Sequence, residues 1–214
     1  MKITRAFLAA VILTFVTTPA HAQDPAPASP QHSEATDIVV FLAGAAAGLA
    51  IHESGHVLFG LTFDANPRVS GIRYGPVPFF AIIHDPVPRR QEFIISSAGF
   101  WMQHGGSEWL LTARPGLKDE HAPFLKGLFA FNLAASAVYS TAAFGTFGPP
   151  QRDTRGMAAT LGHDGIREPV VGFLVLGPAV LDGYRYLHPE ASWAKWTSRS
   201  VKIGLVALTM AAGR

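Results

Sequence analysis

Two histidines and a glutamate interrupt the apolar stretch "AIHESGHVLFGL" at residues 50 to 61, and His52, Glu53 and His56 fall in the pattern H-E-x-x-H. On a helix, positions four apart are rotated by about 400°, so both imidazoles leave one face about one turn apart. Neutral ring nitrogens at that spacing can grip a zinc ion at roughly 2.0–2.1 Å each. Glu53 sits about 100° round from His52, placed to act on a zinc-activated water and not to ligate the metal. A catalytic zinc site takes three protein ligands, so this turn supplies two, and the third must come from elsewhere in the chain.

The element that carries this turn runs from Ile38 to Leu61 and is otherwise apolar. Its length is that of a transmembrane helix with some tilt. An ionisable side chain near mid-bilayer costs roughly 2.5–3.5 kcal/mol, so three on one turn are hard to explain as packing alone. Gly44 and Gly48 form a G-x-x-x-G face that lets a second helix approach closely, although small residues alone would also account for them. Residues 122–145 and 169–187 are further spanning candidates. The stretch from residue 91 to 112 holds an apolar run too short to span by itself, and "VKIGLVALTMAAG" near the C-terminus reads as interfacial or re-entrant. Between them, Pro and Gly punctuate short β-branched and aromatic runs at about residues 67–85, which predicts strands and turns. The expected fold is therefore mainly α: a polytopic α-helical membrane protein with a small membrane-associated β segment.

Composition agrees. Hydrophobic residues make up 49% of the 214 and charged ones 15%, against about 25% charged in an ordinary soluble domain, and the mean hydropathy is +0.24. A net charge of +2 without a basic cluster gives no nucleic-acid partner. The absence of cysteine excludes disulfides, thiolate zinc sites and cysteine nucleophiles. Lys2 and Arg5, the run "AFLAAVILTFV" and Ala20-His21-Ala22 predict a signal peptide over residues 1–22. Residues 23–37 read as a disordered exported tail, and 38–214 as the membrane-embedded domain. The location expected is a bacterial inner membrane, with the bilayer and a membrane protein or peptide substrate as partners.

A second motif, Leu181-Asp182-Gly183, continues through Arg185 and Leu187 within the last strong apolar segment. Together with His52-Glu53-Ser54-Gly55-His56 it resembles the site-2 proteases, intramembrane zinc metalloproteases whose hallmarks are H-E-x-G-H in one transmembrane helix and L-D-G in a later one. The resemblance covers roughly residues 38–187. It implies an intramembrane zinc metalloendopeptidase in which His52, His56 and Asp182 hold zinc and Glu53 is the general base. The chain departs from the family pattern at Leu174, where Asn is usual, at Gly177, where Pro is usual, and at Gln103, where Asn follows the A-G pair. The alternative function is a non-catalytic membrane scaffold or chaperone retaining the fold.

Topology bears on the third ligand. With one crossing between the two motifs, Arg68, Arg73, Arg89, Arg90, Arg114, Lys118, Lys195, Arg199 and Lys202 fall inside, and only Arg152, Arg155 and Arg167 outside, which obeys the positive-inside rule. That arrangement brings Asp182 to the depth of the histidines. If residues 91–112 also cross, the third ligand becomes Asp153 or Asp164. Asn132 reads as an interhelical hydrogen-bonding residue, His104 and Glu108 as an i, i+4 surface or interface pair, and Arg185 as a residue that snorkels or pairs locally, with Asp182 as one local partner.

Overall fold

The computed structural model describes residues 33–161 and 167–211. The expected signal peptide, most of the expected tail, and Asp164 lie outside the described residues. Among these, the chain forms α1 (Glu34–Thr62), β1 (Arg68–Tyr74), β2 (Val77–Ile83), α2 (Arg89–Ala113), α3 (Pro123–Gly145), α4 (Asp153–Leu161), α5 (Arg167–Leu187) and α6 (Ser192–Ala211). It is mainly helical, as expected. Helices α1, α3 and α5, the three spanning candidates of the sequence, are long and apolar enough to cross a membrane.

Helix α1 starts four residues ahead of Ile38, so residues 34–37 are helical and not part of a tail. Glu34 and Asp37 fall in its first turn, where carboxylates meet the positive end of the helix dipole. The glycine face of α1 seats α3. A Cβ on Gly44 would lie 1.9 Å from the Phe124 carbonyl oxygen, and one on Gly127 would lie 1.9 Å from that of Phe41. Backbones that close admit only glycine, so the G-x-x-x-G reading holds as a packing device.

The strands pair as an antiparallel hairpin, Arg68 opposite Ile83 and Tyr74 opposite Val77. Two residues, Gly75 and Pro76, make the turn. Gly75 has φ +58°, and since proline cannot follow it into positive φ, the turn fits type II′, whose twist matches the strands.

Helix α2 is one continuous helix, in agreement with the helical pattern of its sequence. Every residue from Phe93 to Ser97 is buried, as are Ala98, Gly99 and Phe100. Such all-round burial marks a helix inside a bundle. Phe93 and Phe100 pack with Met157 and Ala158 of α4 and Val171 and Val175 of α5 in one core cluster. Gly156 lets α4 lie this close, since a Cβ there would meet the Ser96 hydroxyl at 2.3 Å. Leu110, Leu111, Leu117 and Phe129 form a second cluster between α2 and α3. The polar stretch after α3 thus holds the docked helix α4, and the segment expected to be interfacial or re-entrant falls in the end of α6.

Candidate metal centre

His52 and His56 are buried on the face of α1 that meets α2. Close approach of the two helices again rests on glycine. A Cβ on Gly55 would stand 2.7 Å from the Ala98 carbonyl, and one on Gly99 would stand 2.4 Å from His52 Nε2. The glycine of the H-E-x-G-H turn thus lets α2 reach both imidazoles.

Helix α2 fixes the rings. His56 Nδ1 donates to the backbone carbonyl of Ile95 at 2.8 Å, so Nε2 is the nitrogen turned to the site, able to offer a lone pair once its proton leaves. His52 Nδ1 lies 2.9 Å from Gln103 Oε1 and donates to it in the same way. The Nε2 atoms face each other at 3.2 Å. Asp153 Oδ2 completes the triangle, 3.0 Å from His52 Nε2 and 3.3 Å from His56 Nε2. Burial raises the Asp153 pKa, but the His56 charge and hydrogen bonds from both imidazoles outweigh it and hold the carboxyl well below the usual range. It stays ionised, as a metal ligand must.

This donor set could hold a metal ion. Three ligand atoms at roughly 2.0–2.1 Å from one tetrahedral centre stand about 3.3 Å from one another, close to the 3.0–3.3 Å edges found here. Two nitrogens and a carboxylate leave a fourth position open, the pattern of catalytic sites. Among the described residues, His52, His56 and Asp153 are the group of three able to hold a metal ion.

Asp153 reaches the site from α4 because its neighbours anchor that helix. Arg152 is buried and donates to Glu168 of α5 through Nε at 2.6 Å and Nη2 at 2.8 Å. The Thr154 hydroxyl bonds the same carboxylate at 3.3 Å. The third donor is thus clamped on both sides in sequence.

Asp182, which the family motif assigns to the metal, is not brought to the histidines. It is 1% exposed, bonded by Lys202 Nζ at 2.7 Å and Ser198 Oγ at 3.2 Å, with Arg185 at 3.7 Å. These groups also meet Glu108, which accepts from Arg185, from Lys202 and, at 2.9 Å, from Arg199. The physical reason is α2. Its Ile95, Gly99 and Gln103 face the histidines, while Glu108 faces the Asp182 group, and even the nearest of these, Gln103, is about 7.5 Å from Glu108 along the helix axis at about 1.5 Å per residue. Arg185 is buried and pairs locally, donating to Glu108 and standing 3.7 Å from Asp182. Asn132 does hydrogen-bond between helices, to Ser107 Oγ at 2.9 Å and the Gln103 carbonyl at 3.2 Å.

A cavity of about 310 Å³ adjoins the site, walled by Glu53, His56, Tyr139 and Asp153 on one side and by Phe79 and Phe80 of the hairpin on another. Tyr139, which the sequence reading passed over, also stacks on the His52 ring at 5.8 Å. An aromatic in an apolar helix carries no sign of its function until the fold sets it in the cleft.

No family model, curated protein or solved structure matches this chain. The site therefore speaks through its own geometry.

Proposed function

We propose that the protein is a membrane-embedded zinc metalloendopeptidase, similar to the site-2 proteases in its H-E-x-G-H turn but taking its third ligand from Asp153. The observation that carries this reading is the convergence of His52 Nε2, His56 Nε2 and Asp153 Oδ2 within 3.3 Å of one another, beside a glutamate that borders a cavity. Bound zinc supplies a Lewis acid that polarises the scissile carbonyl and lowers the pKa of water toward about 7. Glu53 takes the proton of the attacking water and delivers it to the leaving amine as the bond breaks. Gln103 and Ile95 hold the two rings in the tautomer that offers Nε2. Tyr139, on the same cavity wall, hydrogen-bonds Asp153 and helps to hold that carboxylate in place.

The hairpin supports an extended substrate. Each of its two strands has one free edge, and Phe79 and Phe80 turn toward the cavity. A peptide held along such an edge exposes its carbonyls, which a helix would bury. Substrates in this reading are membrane proteins or membrane-associated peptides, and the setting is a bacterial inner membrane.

Purified protein in detergent tests this. The wild type is expected to hold about one zinc by elemental analysis and to cleave a transmembrane reporter. Glu53→Gln is expected to keep the metal and lose activity by about 10²–10⁴-fold, the usual share of a general base. A Glu53→Gln protein that still cleaves would remove the mechanism.

A further inference from the structure

A second and larger cavity, about 720 Å³, opens between α2, α5 and α6. Its size is within the ~300–1,000 Å³ of small-molecule sites. Most of its wall is apolar: Phe93, Trp101 and Trp109 of α2, Val175 of α5, and Ile203 and Val206 of α6. One end differs. Glu108, Arg199 and Lys202 stand there, and so does His104. The cations exceed the anion by one at the wall, and adding Arg185 and Asp182 behind it leaves the same excess.

His104 supplies a second observation. It is 7% exposed, and its Nε2 has no hydrogen-bond partner among the described residues. Burial, then Lys202, then His52 push its pKa down to about 3, so the ring is neutral. A buried ring nitrogen without a partner is costly unless a ligand or water meets it.

We propose that this cavity binds one phospholipid with an acidic headgroup, its acyl chain against the apolar wall and its phosphate at Arg199, Lys202 and His104. The apolar wall fits hydrocarbon and not a sugar or nucleotide, while the excess positive charge beside an unmet ring nitrogen selects a phosphate carrying net negative charge. The inference rests on the apolar helices and is independent of the proposed reaction.

Gly105 provides the test. It lies on the cavity wall, and a Cβ there meets nothing within 4 Å. Gly105→Phe therefore fills the cavity, and removing a helix-interior glycine favours the helix. The full chain in a neutral maltoside detergent would be titrated with phosphatidylglycerol or with phosphatidylcholine of the same chains, and adducts read by native mass spectrometry. The wild type is expected to take one phosphatidylglycerol at least about fivefold tighter than phosphatidylcholine, the preference one surplus charge supplies. Gly105→Phe should abolish the adduct with an unchanged thermal midpoint, and Arg199→Gln should bring the two lipids to equal affinity. Equal binding of both lipids by the wild type, full binding by a folded Gly105→Phe, or a dimer peak in place of the adduct would each overturn the proposal.

Discussion

Two carboxylates lie among these helices with different company. Asp182 has Lys202 at 2.7 Å, Arg185 at 3.7 Å and a serine hydroxyl. Asp153 has two imidazole nitrogens at 3.0 and 3.3 Å, on rings whose other nitrogens are held by the Gln103 side chain and the Ile95 carbonyl. A carboxylate already neutralised by the chain's own cations makes a poor metal ligand, since binding would have to displace them. A carboxylate beside two imidazoles differs, because those rings can release their site-facing protons and turn lone pairs to a metal, which lysine and arginine do not do at neutral pH. The difference teaches that burial and a matching motif do not make a ligand; whether the neighbours can give way to a metal does.

The sharpest way to break this contrast is to remove each carboxylate in turn. Asp153→Ala is expected to reduce zinc affinity by more than the ~10–100-fold that loss of an outer-shell partner costs, and to abolish cleavage, measured by metal titration and reporter turnover. Asp182→Ala should keep the zinc but lose about 3 kcal/mol of stability, because it strands buried cations; a thermal melt in detergent reads this. If the two outcomes were exchanged, the assignment of Asp153 would fail. Gln103→Leu tests the ring supports, with an expected ~10–100-fold fall in zinc affinity and little change in fold.

The smallest effect concerns pH. Burial raises the Glu108 pKa, but hydrogen bonds from Arg199, Arg185 and Lys202 outweigh it and bring it to about 2. A carboxyl with a lowered folded pKa contributes stability that is complete above its ordinary value near 4.5 and is lost as pH falls toward 2. Glu108→Gln should therefore flatten the dependence of the thermal midpoint on pH across that window, with no comparable change between pH 6 and 8.

What the sequence revealed follows the reach of its signals. His52, Glu53 and His56 share one helical turn, so spacing alone sets their geometry, and apolar length alone marked α1, α3 and α5. The hairpin was readable because Gly75 and Pro76 punctuate it. Asp153 was not, because its place depends on α4 docking against α2 through Gly156 and on Arg152 reaching Glu168, contacts that join distant residues. The helix at α2 was readable from its pattern, but its burial among other helices was not, since that depends on contacts between distant residues. The Leu-Asp-Gly motif then drew the third ligand to Asp182, although the alternative topology named Asp153.

His52 and Asp153 stand 101 positions apart, and the second of them rides on a nine-residue helix. During synthesis the imidazole pair emerges long before its oxygen partner, so the nascent chain holds an unfinished claw while α1, the hairpin, α2 and α3 are being laid down. The three-donor cluster therefore cannot close before α4 and the Glu168 that clamps it have both been made.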